Sequence, residues 1–241
     1  MRIDREVEPH RLFEVEVDVR LEGRFRSDRR DENAWPGARE LAERVRTIAA
    51  EQQAPSLESL GLIVGDTLVR EVGPANRAAV ELVERRWLPV SEPGHAFRAV
   101  GGERHTARVI VDPGGSRVRS ALLELGLLQT GAAPGDLVFG DRLRAVWDYR
   151  LTNDVDYLAS RRHVRDLLVE VFAKSDASSP RQILWDMGVG VLSSLPQVWR
   201  IELVLPQLPC DAWPTPDGST ASFYVPTVEP AGRVEVVLER T

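Results

Sequence analysis

Arg181 and Gln182 stand in the run Ser179-Pro180-Arg181-Gln182, whose residue types suit the opening of a helix. Ser179 is a good N-cap, Pro180 fits the first helical position, and Gln182 can reach back to the N–H of the cap. An arginine one residue into a helix lies where unpaired backbone N–H groups and the helix dipole already favour negative charge. Its guanidinium can add charge-assisted hydrogen bonds to a carboxylate or an enolate-like oxygen. Plainer readings stand beside these: capping alone accounts for Gln182, and a solvated surface accounts for Arg181. Arg150, on the polar face of a strand, is read as the partner of a neighbouring acid or as a second anion-binding group. His10, His95, His105 and His163 are too scattered for a metal constellation, so no metal is expected. Cys210 lies between Pro206 and Pro216 with no histidine close in sequence, and is expected to be an unreactive thiol rather than a catalytic one.

The element that must hold Arg181 is an amphipathic helix with Ile183, Leu184, Met187 and Val191 as its buried stripe. Gly188 and Gly190 each weaken that helix by roughly 1 kcal/mol relative to alanine, so tertiary packing must hold it, and a close backbone approach is expected there. After Pro196 the chain alternates as a strand, with Trp199, Ile201, Leu203 and Leu205 on one face. The same phrase occurs earlier. Pro55-Ser56 leads into Leu57, Leu60, Ile63, Val64 and Leu68 at helical spacing, Gly73-Pro74 ends the run, and Val80-Glu81-Leu82-Val83 matches Ile201-Glu202-Leu203-Val204 at an offset of about 121 residues. Such a pattern predicts a tandem duplication.

Each copy begins with a long strand and a first helix. Phe13 to Leu21 alternate apolar and charged, and Leu143 to Leu151 do the same, which predicts one dry face and one wet face in each case. Leu41, Val45, Ile48 and Ala49 mark the first helix of the first copy. Val164, Leu167, Leu168, Val171 and Phe172 mark that of the second. Between the copies, Asp112-Pro113-Gly114-Gly115 is a turn joining two extended runs as a hairpin. Phe223 to Pro226 and Val234 to Leu238 are the last strand segments. Strand, two helices, strand, twice over, is an α+β pattern with helices collected on one side of antiparallel strands. A sheet of this kind has long edges that need covering, which favours assembly of several copies into a closed barrel.

Composition removes other classes. The 241 residues carry a net charge of -6 with arginines interleaved among acids, as in Asp28-Arg29-Arg30-Asp31-Glu32, so no nucleic-acid partner is expected. No apolar run approaches the ~18 residues of a membrane span, and the charged start lacks the apolar core of a signal peptide. With a single cysteine, the chain reads as soluble and cytoplasmic.

Several segments together resemble the urate oxidase (uricase) family of the tunnelling fold, over nearly the whole chain. Phe13 to Gly23 is similar to the early "VLLEG" strand of that family, Ser120 to Thr130 to its "SxLxGLxVLKST", and Trp147 to Val155 to its "WDRILSTDV". Leu205-Pro206-Gln207 is similar to "LPN", and Phe223 to Gly232 to "FxPTxEPxG". The resemblance implies two tunnelling-fold halves, residues 1–98 and 99–241, assembled as a homotetrameric β-barrel. It also implies oxidation of a planar N-heterocycle by dioxygen with no cofactor. The site it implies consists of Ala38, Arg39, Tyr149, Arg150, Arg181, Gln182 and Gln207, with the start of the first helix in one subunit facing the other groups from a second.

At those positions the family pattern is rewritten. The catalytic threonine of the family, followed by aspartate, falls on Ala38-Arg39, and no lysine stands at the start of the chain to serve as the catalytic one. The pocket histidine falls on Pro209 and the asparagine of "LPN" on Gln207. The stacking phenylalanine falls in Gly131 to Gly135, where there is no aromatic residue, and Trp35 is a candidate substitute. The anchoring arginine aligns with Tyr149, next to Arg150, and the anchoring glutamine with Arg181, next to Gln182. Two functions follow: a diverged cofactor-free oxidase for a different planar heterocycle, or a catalytically inactive binding or structural subunit. Urate oxidation itself is the less expected outcome, because the groups of the family's proton relay are missing.

Overall fold

The computed structural model describes residues 1–4, 11–24, 36–90, 96–130, 138–175, 179–207, 210–213, 223–226 and 232–240. Trp35, Pro209, His10, His95 and the Gly131 to Gly135 loop therefore lie outside the described residues. The architecture is α+β, antiparallel strands backed by helices. Two units divide the chain, one of Met1–Ala121 with Asp148–Arg161, the other of Leu122–Trp147 with Arg162–Thr241.

The first unit contains β1 (Arg2–Asp4), β2 (Arg11–Gly23), α1 (Ala38–Gln52), α2 (Leu57–Glu71), β3 (Ala75–Pro89), β4 (Phe97–Ala99) and β5 (Arg104–Asp112). It also holds the first half of β6 (Gly115–Thr130), the end of β7 (Val138–Tyr149) and the start of α3 (Tyr157–Lys174). Its strands lie in the order β1-β2-β3-β5, with β4 paired to β3. The register aligns the dry faces into rows: Leu21 beside Ala78 beside Val111, Val19 beside Val80 beside Val109, and Val17 beside Leu82 beside Ala107.

Helix α2 lies on those rows, and glycine makes the close approach. A methyl at Gly61 would stand 2.7 Å from Val109 Cγ2 and 2.9 Å from Leu82 Cδ1, and one at Gly65 would stand 2.8 Å from Val111 Cγ2. Ser56 caps α2, its Oγ accepting the Ser59 N–H at 3.1 Å. Val64 and Leu68 on its inner face are fully buried against Val80 and Leu82 of β3, which are buried as completely.

The second unit continues with the rest of β6, β7 and α3, then α4 (Pro180–Ser194), β8 (Val198–Gln207), β9 (Cys210–Trp213), β10 (Phe223–Pro226) and β11 (Gly232–Glu239). Its strand order is β6-β7-β8-β11, while β9 and β10 form a separate pair. The expected stripe of α4 is in the core: Ile183, Leu184 and Val191 are fully buried and Met187 nearly so. Of its two glycines, only Gly188 serves a close approach, since a methyl there would meet Leu238 Cδ1 at 2.4 Å. Gly190 would make ordinary contact with Val171 at 3.7 Å.

Two sequence expectations need correcting. The capping box at Gln182 does not form: Ser179 makes no side-chain cap, and Gln182 Nε2 donates instead to Asp186 Oδ1 one turn on, at 2.9 Å. Leu151 lies past the end of β7 and is exposed, because that strand stops at Tyr149. Helix α3 contains all five residues that the periodicity marked, Val164 to Phe172, and begins at Tyr157, with Asp156 as its cap, Oδ1 accepting the Ala159 N–H at 2.9 Å.

Candidate functional site

In the first unit the buried face becomes polar where the glycine-lined part of α2 ends. The row after Val17, Leu82 and Ala107 is Val15, Glu84 and His105, and both polar members stay largely covered. Glu84 takes an ion pair from Arg161 of α3 at 2.8 Å, with both side chains mostly buried. The His105 Nε2 lies 3.1 Å from Glu103 Oε1, and Arg86 reaches the same oxygen at 3.3 Å. Glu58, in the first turn of α2 and 1% exposed, accepts a hydrogen bond from Ser120 Oγ at 2.5 Å. Its carboxylate also sits at the positive end of the helix dipole, where negative charge is favoured.

The same layer holds two tyrosines. Tyr149 and Tyr157 meet edge to face, with ring centroids 4.9 Å apart and planes at 86°. The Tyr157 hydroxyl donates to the Thr152 carbonyl at 3.0 Å. Burial, and after it the negative charge of Glu58, push the Tyr157 phenol up to about 12 from 10.0. In the folded protein the proton is therefore kept to higher pH than in the unfolded chain. Below pH 10 both states hold it and folding gains nothing or loses nothing from this group. Above pH 10 the unfolded chain releases it first, so stability falls as pH rises toward 12. Between pH 9 and 11 the parent protein is expected to lose about 1 kcal/mol more stability than Tyr157→Phe, read from urea midpoints at the two pH values.

The residues expected to form a site divide between the units. In the first, Ala38 is the exposed first residue of α1, and Arg39 beside it is 93% exposed along its side chain and paired with Glu43 at 3.2 Å. Tyr149 is only 5% exposed and is engaged with Tyr157, whereas Arg150 next to it is exposed. Arg150 forms no ion pair with a described carboxylate. In the second, Arg181 and Gln182 are exposed at the start of α4, and Gln207 is exposed at the end of β8.

Arg181 also lacks a described acidic partner, and α4 has neither an acid in its first turn nor a side-chain cap. Helices α1 and α2, by contrast, carry Glu40 and Glu58 in their first turns. Across the sheet most arginines are committed to carboxylates: Arg119 to Asp148 at 2.7 Å, Arg144 to Glu202 at 2.6 Å, Arg77 to Glu22 at 3.1 Å. The Arg144 bond is the main reason that the Glu202 carboxyl is held below the usual range. Arg150 and Arg181 are thus exposed cations at an element end with no described ion pair, as Arg24 past the end of β2 also is. No described hydrogen bond or ion pair joins the expected site residues of either unit to one another.

Sequence reasoning missed Glu58, Glu84, Ser120, Tyr157 and the Glu103–His105 pair. A signal for part of this was present: Ala78, Val80 and Leu82 alternate straight into Glu84 and Arg86, a dry face that turns charged without changing period. Among the described residues no cluster of three or more acidic, histidine or cysteine side chains could hold a metal ion.

A family model described as Uricase matches residues 131–235. A uricase of Dictyostelium discoideum is 23% identical over 261 aligned positions, covering 97% of this chain and 90% of that protein. Uricase-2 isozyme 1 of Canavalia lineata is 25% identical over 224 positions, covering 77% of this chain and 72% of its own. Among solved structures, the uricase from Arthrobacter globiformis aligns with a TM-score of 0.83 at 19% identity, over 99% of this chain and 89% of that one. A uricase from Bacillus fastidious aligns with a TM-score of 0.78 at 18% identity, over 93% and 81%. The structural likeness establishes the fold.

Proposed function

From a chain related to the uricase family, we propose a diverged, cofactor-independent oxidase that binds the anion of a planar N-heterocycle, purine-like or related, and passes two of its electrons to dioxygen, giving hydrogen peroxide. The observation that carries this reading is Arg181: an exposed cation in the first turn of a helix with no acid and no side-chain cap, at the place where the family resemblance puts an anchoring glutamine. The helix N–H groups and the guanidinium attract the same charge, so a flat anion with adjacent acceptors gains donors from both. Gln182 and Gln207 supply amide groups for its other edge. Arg150, in the other unit, is a further exposed cation proposed for anion binding.

The proposed assembly is a homotetramer in the cytoplasm. In it, the start of α1 of one copy, Ala38 and Arg39, faces the start of α4 of another. Light scattering that returned the mass of a single chain would reject the assembly. Ala38 favours a second reading, that of a ligand-binding subunit without turnover, because a methyl group cannot relay a proton.

Calorimetric titration with a panel of urate, other purines, pteridines and pyrimidine-fused heterocycles tests the binding step shared by both readings. At least one anionic member of the panel is expected to bind with micromolar affinity. No binding and no thermal shift across the panel would reject the site.

A further inference from the structure

We infer that Tyr157 is the positioning residue for Arg150, fastening the chain on both sides of it; the inference rests on the proposed role of Arg150 in anion binding. Seven residues, 150–156, join the end of β7 to the first residue of α3. The residue before Arg150 is Tyr149, whose ring meets the face or edge of Tyr157 at 4.9 Å. Two residues after Arg150 is Thr152, whose carbonyl accepts the Tyr157 hydroxyl at 3.0 Å. One side chain therefore holds positions 149 and 152, and Arg150 is the exposed cation between them.

The far end of the segment is fixed separately. Asp154 takes the left-handed conformation at φ 58°, which aspartate tolerates better than most residues, and Asp156 caps α3 through the Ala159 N–H. Tyr157 itself cannot swing away, being 4% exposed and seated at the start of a helix. Its hydroxyl remains a donor through the neutral range, because burial and the charge of Glu58 both oppose ionisation. Glu58 is in turn held by Ser120. An arginine on an untethered loop would lose the entropy of ordering its backbone when an anion binds. Here that cost is met on folding, so the backbone that carries Arg150 is set in advance.

The test is a double-mutant cycle with urate as the titrant, combined with hydrogen exchange. Tyr157→Phe keeps the ring contact with Tyr149 and removes only the bond to Thr152. It is expected to speed amide exchange across residues 150–156 severalfold and to weaken urate binding three- to tenfold. In an Arg150→Ala background the same change is expected to alter urate affinity less than twofold, which a general loosening of the fold would not produce.

Faster exchange with unchanged urate affinity, while Arg150→Ala still weakens binding, would overturn the inference and leave the proposed site standing. An equal loss in both backgrounds would overturn it as well. Equal urate affinity in Arg150→Ala and the parent would remove the role of Arg150 and the inference with it; if the parent binds no urate, the same cycle is run with the anionic panel member it does bind, and equal affinities there have the same result.

Discussion

Replacing Ser120 by alanine is expected to destabilise the protein by about 2–3 kcal/mol, a large effect for the loss of one hydroxyl. The reason is Glu58. Its carboxylate is 1% exposed, one oxygen accepts the Ser120 hydroxyl at 2.5 Å, and the other has no hydrogen-bond partner among the described residues. Removing the donor leaves both oxygens buried without one, and neither can return to water without displacing the first turn of α2. The cost is the desolvation of the stranded group rather than the strength of the bond.

It follows that Ser120→Ala combined with Glu58→Met should recover at least half of the lost stability, since the second change removes the stranded charge and fills its volume with a flexible apolar chain. Guanidinium unfolding of the two single variants and the double variant measures the coupling. Strict additivity would show that Glu58 does not depend on Ser120.

Replacing Arg181 by alanine is expected to weaken binding of an anionic heterocycle by about 1.5–3 kcal/mol, the range for a hydrogen bond to a charged group. Stability should hardly change, because the side chain is exposed and no described ion pair is lost with it. Arg39→Ala serves as the comparison. That arginine is 93% exposed and already engaged with Glu43, in a surface pair of the kind usually worth under about 1 kcal/mol. Calorimetry showing equal affinity for Arg181→Ala and the parent would take Arg181 out of the site.

The elements of the fold were legible because they depend on period. Strict alternation in Phe13 to Leu21 and the i, i+3, i+4 spacing of Ile183, Leu184, Met187 and Val191 report burial on one face, and burial dominates the energetics of such elements. The glycines were half legible. Gly188 and Gly190 look alike in sequence, and only the position of Leu238 on β11 decides which one faces a neighbour.

The polar interior was hidden for a related reason. Glu58 occupies a polar place in an amphipathic helix, which reads as surface until Ser120, 62 residues away in sequence, is seen beside it. Tyr157 stands outside the apolar run of α3, and its partners Thr152 and Tyr149 precede it in a turn and a strand end. As for the candidate site, the helix start at Arg181 was readable from Ser179-Pro180. The side-chain bond of Gln182 was not, because Asp186 competes for it from the next turn.

The measurement closest to the central claim is oxygen uptake with parallel peroxide detection, on chelator-treated protein with each heterocycle of the panel in turn. One planar N-heterocycle is expected to consume dioxygen and yield hydrogen peroxide in equal amounts, without added metal or flavin, and Arg181→Ala is expected to lower the rate at limiting substrate. Binding of a panel member with no oxygen uptake at any substrate concentration would contradict the oxidase and leave the ligand-binding subunit as the function.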